Sequence, residues 1–315
     1  MSAPVTIVIP TFQRLDMLER AVLSAFDQDF TEHYGVLIVD NDPLASAQAL
    51  AKKLERQAPN QVDFKYVHEP SPGVANARNT ALEGTESKFI AFLDDDQSAP
   101  REWLRTLLQA QKDFPAAITF GPVHAALPDN VTKHKKYLID FFSRTYDHQT
   151  GHTNESFGCG NSLMNMDLVP AERPIFDVAM NETGGEDDVL YSRVRRSGGK
   201  FGWCANAPVL EHVPEDRATL KYTLKRAISY GQGPITEARM RARPRWDLVV
   251  LWMVIGSVKA SINFMIYAFH WAIRSDNRAT YLDRTARGFG KVIWWKTYRF
   301  YGLQRLKSGK PATTD

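Results

Sequence analysis

Four short apolar runs, VTIVI (5–9), VLIVD (36–40), VDFKYV (62–67) and FIAFLD (89–94), alternate with three segments of helical period, DMLERAVLSAF (16–26), LASAQALAKKLERQ (44–57) and GVANARNTALEG (73–84). The apolar runs are rich in Val, Ile, Phe and Leu and lack helical spacing, as buried strands require. Asp16 with Glu19 three residues on has the spacing of a capping box. Strand and helix in strict alternation predict an α/β fold: a mainly parallel sheet with helices on both faces. In such sheets ligands sit outside the carboxyl ends of the strands. Thr11, Asp40 and Asp94–Asp96 each follow a strand directly, so position alone marks them as candidates. From about Gly121 to Val213 the rhythm loosens into polar loops around FGCGNSLM (157–164), a helix near GGEDDVLYSRVRRSGG (184–199) and a strand-like approach to EHVPEDR (211–217).

Three adjacent carboxylates after a strand, FLDDD (92–96), repel one another unless they are solvated, paired or bound to a cation. Hard oxygen ligands of this kind suit Mg²⁺ or Mn²⁺, which bind through one or two carboxylates plus substrate phosphates. A solvated acidic turn is the plainer alternative, and the strand-end position weighs against it. GGEDDVL (184–190) places three acids in the first turn of a helix, where they complement the dipole; a carboxylate there could also take a proton from a hydroxyl. His212 is a candidate third metal ligand. Arg78 and Arg217 are candidates for a nucleotide and its diphosphate, since a planar guanidinium suits phosphate. Gly73, Gly158 and Gly160 mark turns, and Cys159 between two glycines reads as a small packing residue.

The chain has 315 residues, and its two cysteines, Cys159 and Cys204, make no disulfide framework, which fits a reducing compartment. The run at 5–9 is too short for the apolar core of a secretory signal, and none is expected. The net charge of +3 conceals an asymmetry: residues 248–315 hold 11 of the 39 basic but only 3 of the 36 acidic residues, a net of +8 against −5 elsewhere. Such a segment favours anionic partners. It opens with 26 mostly apolar residues, Leu248 to Ile273, where about 20 suffice to span a bilayer. Lys259, Asn263, His270 and Arg274 share one helical face, which favours a helix lying in the interface or re-entering over a spanning or buried one. Trp294, Trp295, Tyr298, Phe300 and Tyr301 then interleave with Lys291, Lys296 and Arg299, a mixture suited to anionic headgroups.

Taken together, IPTFQR (9–14), IVDND (38–42), GVANARNTAL (73–82), FLDDD and GGEDDVL stand in the order and spacing of the family 2 glycosyltransferases, which the chain resembles over about residues 4–235. HVPEDRATLKYTLKRAISYGQG (212–233) is further similar to the glucosyltransferases of bacterial succinoglycan-type exopolysaccharide assembly. The resemblance implies a GT-A fold, with residues 1–246 as the transferase domain (about 1–122 for the nucleotide-sugar, 123–246 for acceptor and catalysis) and 247–315 as a helical, basic, membrane-associated region. It implies that Thr11, Arg14, Asp40 and Arg78 hold the uridine, with Pro10, Phe12 and Asp95 in the same nucleotide site. Asp94 would contact ribose or metal, Asp96 would be the principal ligand of Mg²⁺ or Mn²⁺, and His212 would complete that site. Asp187 would be the base, with Glu186 orienting the acceptor. The partners implied are a UDP-sugar donor, a lipid-linked glycan acceptor and an anionic membrane surface, with no nucleic acid, at the cytoplasmic face of a bacterial inner membrane. Arg245–Trp246 lacks the spaced Gln of the processive synthases, which implies one sugar per encounter. A nucleotidyltransferase on the same carboxylates, or a non-enzymatic module binding anionic lipid or nucleic acid, are the alternatives; no P-loop is present.

Overall fold

The computed structural model describes residues 3–181, 184–240 and 243–295. They separate into two compact units, one of residues 3–124 with 143–212, the other of 125–142 with 213–295. The expected transferase domain, 1–246, therefore takes in part of the second unit.

The first unit opens with β1 (Val5–Thr11), α1 (Leu15–Phe26), β2 (Tyr34–Asp40), α2 (Gln48–Glu55), β3 (Val62–His68), α3 (Val74–Glu83) and β4 (Phe89–Phe92). β1 and β2 are almost wholly buried, as continuous apolar strands of a parallel sheet must be, whereas β3 is only partly covered and lies at the edge. The chain continues through β5 (Gln97–Ser98), α4 (Trp103–Asp113), β6 (Ile118–Phe120) and β7 (Val123–Ala126), which runs across the division between the units. After α5 (Lys135–Phe142) come β8 (Gly151–Thr153), β9 (Ser162–Asn165), α6 (Glu186–Arg196), β10 (Phe201–Trp203) and β11 (Val209–His212).

The main sheet has eight strands in the order β3-β2-β1-β4-β9-β6-β10-β8. β9 is antiparallel to both β4 and β6, and β8 to β10, while the remaining neighbours are parallel. The sheet is thus mixed and mainly parallel, as the alternation predicts. One apolar layer is built from α1, α2 and α4 (Leu18, Val22, Leu54, Trp103, Leu107) and the other from α3 and α6 (Ala77, Ala81, Leu190, Val194), so helices cover both faces. Asn161, at φ +62°, precedes β9 and ties Trp103 of α4 to two loops. It accepts from Trp103 Nε1 (2.7 Å) and donates to the carbonyls of Pro122 (2.7 Å) and Ala207 (3.0 Å). Asn tolerates the left-handed backbone there better than most residues.

One local expectation is corrected. α1 begins at Leu15, so Asp16 lies inside the first turn and no side chain caps the helix. Asp16 complements the dipole, but the capping box with Glu19 does not form.

The second unit holds α5, α7 (Leu220–Met240), α8 (Trp246–Ala272) and α9 (Arg278–Val292). α7 and α9 meet at glycines: a Cβ on Gly290 would fall 2.1 Å from the carbonyl oxygen of Ile228. α8 is long and apolar enough to cross a membrane, with mean hydropathy 1.8 over its most apolar window, of which only 11% is buried. It is therefore no buried core helix. Its exposed surface carries Val250, Val254, Val258, Ile262, Met265 and Phe269. The anticipated polar stripe is partly turned inward, since His270 stacks on Tyr281 of α9 at 4.7 Å. Tyr298, Phe300, Tyr301, Lys296 and Arg299 fall outside the described residues.

Candidate active site

The carboxyl ends of β1 and β4 lie side by side because the two strands pair in parallel. That register brings residues 11–14 against residues 94–96, more than 80 positions away. Thr11 Oγ1 donates to Asp95 Oδ2 (2.9 Å), and Arg14 Nη1 donates to Asp95 Oδ1 (2.8 Å) and Asp96 Oδ2 (2.9 Å). Asp95 is buried; its hydrogen bonds give it the task of fixing the β1 loop. Burial pushes the pKa of both Asp94 and Asp95 upward, toward the protonated form; the charge of Asp96 adds to this, and neighbouring guanidiniums oppose it: chiefly Arg78 at Asp94 and Arg14 at Asp95.

Asp94 rests on backbone that has no side chain. A Cβ on Gly160 would lie 2.1 Å from Asp94 Oδ2, so the glycine after Cys159 is what lets the carboxylate occupy its place. Arg78, on α3, is buried; its Nη1 is paired with Glu186 Oε1 and its Nη2 stands 3.9 Å from Asp94 Oδ1. Glu186 and Asp187 open α6, after Gly185 in the left-handed conformation. Glu186 is buried against Arg78, whereas Asp187 is only partly covered and its Oδ1 accepts from the Asp188 amide (2.9 Å). One guanidinium thus spans the gap between the β4 carboxylates and the acidic tip of α6.

Two expected nucleotide contacts have other partners here. Asp40 is fully buried and accepts from the amides of Asp42 (3.1 Å) and Ala47 (2.8 Å) and from Tyr66 Oη (2.9 Å), so it shapes the loop after β2. Arg78 is enclosed by Glu186 and by the ring of Phe176, 5.5 Å away. Pro10 and Phe12 are partly exposed at the end of β1, beside Thr11. Arg217 belongs to the second unit, over Tyr222 at 5.9 Å. Cys159 is buried and burial pushes its thiol up to about 12, consistent with a packing residue.

His212 comes near the acidic trio through its backbone, donating its amide to the Asp96 carbonyl (2.7 Å), while its Nε2 is hydrogen-bonded with Ser98 Oγ at 2.9 Å. The imidazole therefore has a hydroxyl partner. Among the described residues no three His, Cys, Asp or Glu side chains gather to hold a metal. The anticipated Asp94–Asp96–His212 set is not assembled.

The sequence left Glu211 and Arg144 unmarked. Arg144 is anchored by reciprocal backbone bonds with Val123 (2.8 Å each), and its Nη2 lies 3.3 Å from Glu211 Oε2. Burial, opposed by Arg144 and assisted by Asp96 and Asp94, pushes Glu211 up to about 7. Period-two alternation along β11 puts Glu211 on the same side as buried Val209; that signal could have found it.

The family model for glycosyl transferase family 2 matches residues 6–170, more than half of the chain. The chain belongs to that family. The succinoglycan biosynthesis protein ExoM of Rhizobium meliloti is 30% identical over 79% of this chain and 79% of its own. The GalNAc(5)-diNAcBac-PP-undecaprenol beta-1,3-glucosyltransferase of Campylobacter jejuni is 25% identical over 41% of this chain and 40% of its own. Among solved structures, S. aureus TarS 1–349 in complex with UDP superposes with a TM-score of 0.52 at 12% identity, covering 99% of this chain and 93% of that one. The fold is GT-A. Family membership sets aside the nucleotidyltransferase and the non-enzymatic module.

For a family 2 enzyme of GT-A fold the donor set fits a hard divalent cation in one respect and limits it in another. Asp94 and Asp96 offer oxygen donors whose mutual repulsion a cation would relieve. Two carboxylates leave most positions to diphosphate oxygens and water, which is the usual habit of Mg²⁺.

Gly160→Ala tests this arrangement. The added methyl must displace the Asp94 carboxylate, so, if Asp94 serves the donor site, UDP affinity is expected to fall about tenfold or more, about 1.4 kcal/mol, with the fold retained by circular dichroism. Calorimetry reads the affinity; an unchanged value would remove Asp94 from the site.

Proposed function

We propose that this family 2 glycosyltransferase is an inverting enzyme that moves a hexose, with glucose the first candidate, from a UDP-sugar to a polyprenyl-diphosphate-linked oligosaccharide of a bacterial surface glycan. One observation carries the reading: Arg78 joins the β4 carboxylates to the Glu186–Asp187 tip of α6, which puts anion-handling and proton-accepting groups within one guanidinium's reach. The ExoM and Campylobacter relatives support the glycan context, and the TarS–UDP complex supports the donor class.

In this reading Thr11, Arg14, Asp40 and Asp95, with Pro10 and Phe12, form or support the nucleotide end. Arg78 braces the site from beneath. A bound divalent cation, held by Asp94 and Asp96, would neutralise the departing diphosphate. His212, held by Ser98, lines that side. Glu186, fixed by Arg78, orients the acceptor, and Asp187 accepts the proton of the attacking hydroxyl. The new oxygen–C1 bond forms as the bond from C1 to the UDP oxygen breaks, UDP leaving with that electron pair. A single displacement from an α-linked donor gives a β-glycoside. One sugar is transferred per encounter.

Incubating membranes with a panel of UDP-hexoses tests the reading: one hexose should enter a lipid-linked product. Asp187→Asn should keep UDP affinity within a few-fold and lower turnover by roughly 10²–10⁴, the usual contribution of a general base. Near-normal turnover would place the base elsewhere.

We also propose that residues 247–315 hold the 1–246 transferase domain at the cytoplasmic face of the membrane, peripherally or monotopically. The exposed apolar side of α8 and the net charge of +8 over 248–315 support this. Each well-placed Lys or Arg near an anionic leaflet contributes about 1 kcal/mol, and only that part is screened by salt. The full chain should therefore float with anionic liposomes at low salt and, less completely, at high salt. A chain ending at residue 246 should remain in the bottom fraction and still bind UDP. Failure of the full chain to float would contradict the membrane assignment.

A further inference from the structure

α3 and the segment before α6 are joined by side-chain amides that neither nucleotide binding nor proton transfer uses. Asn79 Nδ2 donates to the carbonyl of Phe176 (2.8 Å), and its Oδ1 accepts from the amide of the same residue (2.9 Å). Asn181 Oδ1 accepts from the amides of Ala75 (3.0 Å) and Asn76 (3.3 Å), two of the orphan donors at the start of α3. Its Nδ2 donates to Asn76 Oδ1 (2.9 Å). Gly73, at φ +150°, permits the approach, because a Cβ there would fall 2.2 Å from Asn181 Cγ.

These bonds come from one short helix and fall on both sides of the 3₁₀ turn Val178–Met180, a few residues before Glu186. Arg78, on the same helix, pairs with Glu186 itself. α3 therefore grips the approach to α6 at three points: Phe176, Asn181 and Glu186. α3 follows β3 in the sheet whose β4 leads into the acidic trio, so the distance from Asp94–Asp96 to the α6 tip is set through α3.

We propose that Asn79 and Asn181 are positioning residues that fix Asp187 relative to the donor end of the site. The proposal rests on the reading of Asp187 as the base. A displacement of about 1 Å at a catalytic group can cost about 10²-fold in rate, whereas UDP, held at the ends of β1 and β4, should not sense it. A merely structural role would lower stability without separating turnover from UDP affinity.

The test compares Asn181→Leu, Asn181→Asp, Asn76→Ala and Asp187→Asn. Transfer from UDP-glucose to membrane lipid acceptors gives kcat and KM, calorimetry gives UDP affinity, and hydrogen exchange over residues 174–196 reports the α6 approach without any donor. Asn181→Leu should lower kcat about 10- to 100-fold, leave UDP affinity within threefold and speed exchange over 184–196. Asn181→Asp keeps the oxygen acceptor at the helix N-terminus and should recover most of the turnover. If Asn181→Leu does not fold, Asn76→Ala, which loses the amide–amide bond, should lower kcat several-fold at unchanged UDP affinity. Normal kcat and exchange in Asn181→Leu, or in Asn76→Ala where it stands in, overturn the proposal if Asp187→Asn is inactive. Equal losses in kcat and UDP affinity overturn it too. Normal turnover in Asp187→Asn overturns the base assignment instead, a different result.

Discussion

Three carboxylates in succession at the end of a buried strand cannot leave water unless cations meet them. The arrangement around Asp94–Asp96 follows from that demand. Arg14 reaches them from the start of α1, Arg78 from α3, and Arg144 from the loop after α5. Each guanidinium arrives from a different stretch of chain, so satisfying the charge of one tripeptide draws three distant segments together. The same demand keeps part of the negative charge only partly answered, with Asp94 and Glu211 both biased toward their protonated forms. A site left in that condition favours a ligand that brings a cation, as the proposed nucleotide diphosphate with its metal would.

Geometry then decides which atoms can serve. Parallel pairing of β1 with β4 fixes the end proposed for the nucleotide, and Gly160 leaves the room in which the Asp94 carboxylate sits. Arg78 carries the arrangement across to α6, where Glu186 is held and Asp187 stays partly open. A rigid partner beside a freer one is what an orienting acid and a base require of their surroundings.

The alternation of the first hundred residues made the sheet legible, because continuous apolar runs and helical period are local properties of sequence. The acidic clusters were legible for the same reason. Long-range partners were not. Nothing local in Thr11 or Arg14 says that Asp95 will hold both, and nothing in Asp40 says that Ala47 and Tyr66 will occupy it. Arg78 reads as a phosphate ligand from its residue type, and nothing local says that Glu186 and Phe176 will enclose it. His212 drew attention as an imidazole, yet the strand's period puts Glu211, its neighbour, on the side of buried Val209. Side-chain amides such as Asn79, Asn161 and Asn181 carry no signature at all, since their worth lies in the backbone they meet.

The central claim is that the β4 carboxylates hold a nucleotide diphosphate through a divalent cation, and Asp96→Asn tests it most directly. UDP affinity measured by calorimetry with and without Mn²⁺ should be metal-dependent in the parent chain and lose that dependence in the variant, because the amide keeps the shape and removes the charge. Equal metal-dependent affinity in the two proteins would contradict the account.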